Sequence, residues 1–457
     1  MRSNSRASRA PRLAAAWIAA ALAAFVAAWA RTAPAQAPDD VHIGIKTGRT
    51  RQIRLIQQSF AADGDAAARA QGVTADGVLY DDLDHSDVCA VTRSWVKGET
   101  PFDVQAVVEP RLSVRGSTLQ VSAEIKDFPA KQLIGKSEFK GPLSSARTLV
   151  HRLADDIVYQ LTGERGIAET RIAFVAGARD KSLYVVDADG FNPRQLTKGG
   201  LALSPSWAPD GRQVAFSWMG TRGWSLYRVP SSGGKAEVLR SGGGLNIAPS
   251  FSPDGSQVAF CSSFEGNSEI YLIGSGGGSP RRLTKANAID NSPTWAPNGQ
   301  RIAFTSDRGG SPQVYVMDAD GGNVRRLVYG LSYTDSPDWS PKGDRIAFVC
   351  RSGGGFDIYV VDVNGQDPRQ VVTGGSNLSP KWAPDGRHLV FSSDRGGRKS
   401  LYVVDADGTR TRPLNVPGPE AKTPAWSPRP TPAATAVGSR APASADRELL
   451  AEGRLQP

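Results

Sequence analysis

Cysteine is nearly missing from this chain. Only Cys89, Cys261 and Cys350 occur in 457 residues, an odd and scattered set that cannot be a disulfide framework. Cys261 and Cys350 fall on equivalent strands two repeats apart, too far for the ~5.5–6 Å Cα separation of a disulfide. All three are expected to be reduced and mostly buried. Histidine is almost as scarce, with four residues in all. Beyond residue 170 only His388 remains, so a metal enzyme that gathers imidazoles there lacks its ligands. No Gly-x-Ser-x-Gly elbow, phosphate loop or basic-aromatic stripe is present, which removes support for a fused α/β-hydrolase, a nucleotide site or a nucleic-acid site. After residue 30 no apolar run is long enough to span a bilayer.

The formal charge of +9 first suggests a polyanion binder, but Arg2, Arg6, Arg9, Arg12 and Arg31 lie in a 35-residue leader without an acid. Without that segment the balance is +9 − 5 = +4. Four arginines, the apolar run Leu13–Ala30 and a small-residue end read as a secretory signal peptide over residues 1–35, cleaved between Ala35 and Gln36. An uncleaved anchor is the competing reading of the same run. No Cys follows it to carry a lipid. The mature protein is then expected in an oxidising compartment.

What is abundant is punctuation: Gly 49 and Pro 31. It recurs. An aromatic flanked by prolines falls at Trp207, Phe251, Trp295, Trp339, Trp382 and Trp426, at steps of 44, 44, 44, 43 and 44 residues. Periods in the forties mark repeat architectures. Each copy continues into a strand with two large residues around a small one, from Ile172/Phe174 to Leu389/Phe391, then into a Tyr-bearing strand and a shorter fourth one. Asp-Gly and Asn-Gly pairs, as at Asp189-Gly190 and Asn364-Gly365, supply tight hairpin turns. The repeated Asp187, Asp189, Asp318, Asp320, Asp405 and Asp407 are read as turn residues rather than calcium ligands.

Four strands per ~44 residues make a propeller blade. The first copy lacks its leading strand and the last consists of nothing else, so Thr423–Ser427 is expected beside Ile172–Val175, closing the ring. The fold class is thus mainly β, a six-bladed β-propeller over residues 170–428, preceded by a small α/β domain at 36–166 and followed by a disordered tail at 429–457. In the small domain, strands are expected at Val41–Ile45, Ile53–Gln57, Asp103–Val108, Leu112–Val114, Leu119–Lys126 and Gln132–Phe139. Helices are expected at Thr74–Asp84 and Ser145–Leu161. His151 is the domain's one catalytic candidate, and without a second ligand or nucleophile it reads as a surface or half-buried structural residue.

A surface is what remains for function. Ser204, Ala248, Ser292, Ser336, Ser379 and Thr423 each precede the repeated Pro and should ring one mouth of the channel. Around them Leu203, Asn246, Ile247, Asn291, Asp335, Asn377, Leu378 and Lys422 vary between copies. Loops on a rigid scaffold commonly carry recognition; capping of strand ends is the other reading of the small hydroxyls.

The repeated Pro-x-Trp-(Ser/Ala)-Pro-(Asp/Asn)-Gly, the Arg-Ile-Ala-Phe strands, the Tyr-Val-(Met/Val)-Asp-Ala-Asp-Gly hairpins and the junction from Leu161-Thr-Gly163 to Thr170-Arg-Ile-Ala-Phe174 resemble the TolB family of the Tol–Pal envelope system. The likeness covers nearly all of residues 40–428. It implies a non-enzymatic monomer without cofactor or metal. Such a protein supports outer-membrane integrity and constriction at division. The implied partner is the peptidoglycan-associated lipoprotein Pal, held by loops Leu245–Ala248 and Ala288–Ser292 with neighbours at Tyr333–Ser336 and Ser376–Ser379. The partner-binding set is therefore Ser204, Leu245, Asn246, Ala248, Asn291, Ser292, Asp335, Ser336, Asn377, Ser379 and Thr423. TolA would be engaged through an N-terminal segment, which is short here. The alternative is a periplasmic hydrolase or lyase acting on carbohydrate or peptide in the channel.

Overall fold

A computed structural model describes residues 52–63, 66–93, 104–221 and 223–431. The expected signal peptide, the Val41–Ile45 strand and the tail beyond residue 431 lie outside the described residues.

The small domain runs β1 (Ile53–Gln57), β2 (Ala61–Asp63), α1 (Ala66–Asp84), β3 (Cys89–Arg93), β4 (Ala106–Arg115), β5 (Thr118–Asp127), β6 (Leu133–Pro142) and α2 (Ala146–Thr162). Its sheet is ordered β3-β1-β4-β5-β6, with β2 paired to β4. The two segments expected around residues 103–114 are one strand. Pro110 does not break it, because β1 pairs with residues 106–108 and β2 with 111–113, so the missing N–H falls where the partner changes. Helix α1 begins eight residues before its expected start. The added turns contain Gly72, where a Cβ would stand 3.4 Å from that of Ala62, so the glycine serves close packing. Helix α2 buries Leu149, Val150, Leu153, Ile157 and Val158 against the sheet. It ends at Gly163, whose φ of 79° lets its N–H reach the Tyr159 carbonyl at 2.7 Å.

The propeller has six four-stranded antiparallel sheets. Five follow chain order; the sixth joins Lys422–Trp426 to β7 (Arg171–Ala176) and β8 (Ser182–Asp187), with Trp426 opposite Ile172. The ring closes as the repeat count requires, with the Ser427 N–H donating to the Arg171 carbonyl at 2.8 Å and the Arg171 N–H to the Ser427 hydroxyl at 2.9 Å. This leaves no unpaired first or last sheet.

Each second strand sends a Phe into the blade interface, and all six (Phe174, Phe216, Phe260, Phe304, Phe348 and Phe391) are fully buried. Each lies 5.6–6.0 Å, centroid to centroid, from the Tyr of the third strand. The repeated Trp ties blades together: Trp207 Nε1 donates to the Ala425 carbonyl at 3.0 Å and Trp382 Nε1 to that of Asp338 at 3.1 Å. Trp382→Phe keeps the ring and strands the buried carbonyl, so a loss of about 1 kcal/mol is expected in urea unfolding. Cys89, Cys261 and Cys350 are free and buried.

Candidate functional site

The first strands of adjoining blades touch one another all the way round, so they line the central channel. Each contains the same irregularity. Register shifts between Leu203/Ser206, Ile247/Ser250, Asn291/Thr294, Asp335/Asp338, Leu378/Lys381 and Lys422/Ala425. In every copy the residue before the Pro is left-handed: φ is 49° at Ser204, 53° at Ala248, 51° at Ser292 and Ser336, 54° at Ser379 and 42° at Thr423. The Pro has no N–H for the ladder, so the strand bulges there, and bulges re-aim the side chains beside them. Small residues suit this conformation; a β-branched one is an outlier. Thr423→Gly is expected to stabilise the chain by up to about 1 kcal/mol, read as a shift in denaturation midpoint.

The bulge decides which side chains reach the channel mouth. Residues two before the left-handed position (Ala202, Asn246, Asp290, Thr334, Asn377 and Ala421) are all fully buried. Asn246 and Asn377, expected at the surface, are therefore interior. Asn246 Nδ2 donates to the Gly242 carbonyl at 3.0 Å, and its Oδ1 accepts from the Ser262 hydroxyl at 2.9 Å. Asn377 repeats this with Gly374 and Ser393. Polar type and variation between copies signalled recognition, but alternation along the strand puts them between sheets. The residues one before (Leu203, Ile247, Asn291, Asp335, Leu378 and Lys422) are half-buried and face the mouth beside the left-handed six. Leu245 and Ile247 pack partly against the core.

Asp335 is held firmly. Its Oδ1 accepts from the Thr305 hydroxyl at 2.9 Å and the Ser336 N–H at 2.6 Å, and its Oδ2 from the Tyr333 hydroxyl at 3.2 Å. Burial, with this carboxylate next, pushes the Tyr333 hydroxyl up to about 12. The loops leading to the mouth also expose Met219, Ile289 and Tyr329. Single apolar residues in one sequence cannot announce such a rim, because surfaces carry many.

The other end of the channel is taken. Glu164, just after α2, pairs with Arg387 at 2.7 Å and Lys342 at 3.4 Å, both in turns that end first strands. Arg410 approaches Asp84 and Asp87 of the small domain at 3.6 and 3.5 Å. Arg429 spans the junction, donating to the carbonyls of Arg165 at 2.7 Å, Gly166 at 3.0 Å and Pro384 at 2.9 Å. Arg429 thus belongs to the folded body, not to the tail expected to start with it. A first strand runs from mouth to turn, so the small domain sits on the face opposite the mouth.

His151 lies inside this junction, buried rather than at the surface. Its Nδ1 is 2.7 Å from Asp82 Oδ2 and its Nε2 3.1 Å from Asp189 Oδ2. Arg147 Nε donates to the same Asp189 oxygen at 2.7 Å. Burial opposes a charged imidazole, but the two carboxylates outweigh it and push His151 up to about 10. Asp189 is therefore more than a turn residue. His151, Asp187 and Asp189 bring donor atoms within 4.8 Å of one another, and Arg147 already supplies a cation there. His388 is likewise buried, with Nδ1 2.7 Å from Asp385 Oδ2. Both imidazoles sit in ion-pair networks, His151 at a depth the sequence did not suggest.

The model of the TolB beta propeller domain matches residues 158–430. Among solved structures, TolB from Acinetobacter baumannii superposes with a TM-score of 0.74 at 27% identity, covering 83% of this chain and 97% of that one. Curated relatives called "Tol-Pal system protein TolB" include one from Legionella pneumophila, 32% identical over 33% of this chain and 38% of its own. Another, from Polaromonas naphthalenivorans, is 33% identical over 42% of this chain and 44% of its own. These matches span under half the length of the relatives. No helix among the described residues is long and apolar enough to cross a membrane. A model that accounts for more than half of the chain, over the same residues that form the six closed blades, places this protein in the TolB family.

Proposed function

We propose that the protein is a non-enzymatic, periplasmic, protein-binding component of the Tol–Pal system, and that its free propeller mouth holds the peptidoglycan-associated lipoprotein. One observation carries this reading. Six similar bulges on a rigid ring present side chains of five different types, Leu203, Ile247, Asn291, Asp335, Leu378 and Lys422, on the face the small domain leaves open. Repetition serves the scaffold, and the varied positions are free to recognise one partner. Apolar Leu203, Ile247 and Leu378 beside the fixed Asp335 carboxylate give the apolar centre with few polar anchors that protein interfaces use. Such a link supports outer-membrane integrity and constriction at division.

The test is calorimetric titration of the mature protein with the soluble domain of the lipoprotein from the same organism. Asp335→Arg and Asn291→Trp, which place charge and bulk in the mouth, are expected to weaken binding about 100-fold each, the effect of a hot-spot loss. Val324→Lys, in a hairpin on the other face, should bind like the parent. Equal affinity in all four proteins removes the mouth from the interaction. No binding by the parent removes the partner.

A further inference from the structure

We propose that the seam between the small domain and the propeller is an acid-sensitive latch, with His85 as its trigger. His85 follows α1 and lines a cavity at the seam together with Asp82 from α1, Asp155 from α2, Asp189 and Trp426 from the ring-closing sheet, and Arg412 from the sheet before it. The charges that act on it are those of Arg412, Arg410 and His388, which disfavour a proton there, and of Asp189, which favours one; Arg412 and Asp189 line the same cavity. The acids nearby are already engaged: Asp82 by His151, Asp189 by His151 and Arg147, Asp84 and Asp87 by Arg410. Asp155, the remaining acid of the cavity, is held by the N–H groups of Ala168 and Glu169, so a proton arriving on His85 meets two arginines and carboxylates that other groups already hold, in a place where water is partly excluded.

The neutral ring is favoured accordingly. Burial first, then Arg412 and Arg410, hold His85 down to about 3, against 6.5 when free. A histidine depressed in the docked form binds more protons when the domains separate, so docking is at full strength above 6.5 and weakens as pH falls from there toward 3. His151 has the opposite sign, its contribution complete below 6.5 and lost as pH rises through 10, so it stays constant over the acid range. Asp155, pushed up to about 7 by burial although it accepts the N–H groups of Ala168 and Glu169 at 2.7 and 3.0 Å, takes up its proton while docked and opposes His85. Asp82 and Asp87, also raised by burial, act in the same direction as Asp155. Those groups are common to parent and variant, so the difference between the parent and His85→Gln isolates the trigger.

The mature protein is labelled for energy transfer through Lys136→Cys in the small domain and Lys235→Cys in the propeller. The urea midpoint of domain separation is then followed from pH 7.5 to 5. Between these limits the docking constant of the parent is expected to fall about tenfold relative to that of His85→Gln, a figure reduced for the part of the ring that meets solvent. Superimposable pH profiles for the two proteins overturn the proposal. If His85→Gln does not fold, the imidazole proton resonance of His85 in the parent decides: titration well below 6 supports the latch, and titration at or above 6.5 ends it.

Discussion

Ending the chain at Gly418 is expected to abolish cooperative unfolding of the propeller, while ending it at Thr431 leaves the transition unchanged. The first truncation removes Lys422–Trp426, the strand that joins the last repeat to the first. It opens the buried faces of Ile172 and Phe174 and orphans the Trp207 indole N–H, whose acceptor is the Ala425 carbonyl. A ring held by one shared sheet turns into an arc with two bare edges, and the loss exceeds the ~5–15 kcal/mol that domains of this kind possess. Soluble expression followed by calorimetric melting is the measurement. A sharp transition in the Gly418 truncation would show that closure is dispensable.

The second large effect belongs to His151. His151→Leu fills the space but leaves Asp82, whose side chain is only 6% exposed, without its 2.7 Å partner. Breaking one side of a buried ion pair costs about 3–5 kcal/mol. Adding Asp82→Asn should return much of it, because the stranded charge is then gone, and the double-mutant cycle reads the coupling. The parent should also lose this part of its stability as pH rises through 10, since a histidine raised above 6.5 by folding contributes fully below 6.5 and nothing above its folded value. In His151→Leu that alkaline loss should be absent. A parent and variant with equal urea midpoints, or with equal alkaline slopes, would refute the role of the buried imidazolium.

Much of the fold could be read from residue order alone. Six aromatic positions at even steps and a repeat split between the two ends of the region demanded a closed six-bladed ring, because one blade needed strands from both. Helix α2 was legible from the spacing of Leu149, Leu153 and Ile157 and from Gly163. Helix α1 was only half legible, since a glycine that breaks a helix and one that lets it pack against Ala62 look the same in one dimension.

Linear order thus determined the architecture and the ring of small residues before each Pro, because these follow from local turn chemistry and from repetition. Tertiary structure decided everything that depends on parity and depth. One bulge per first strand turned Asn246 and Asn377 inward and left Asp335 and Leu378 half-buried beside the mouth. Docking of the small domain on the opposite face then placed His85 beside Arg412 from far along the chain, and His151 beside Asp189 of the first blade. No spacing rule can report those distances, because the groups that set them are neighbours only after the ring has closed.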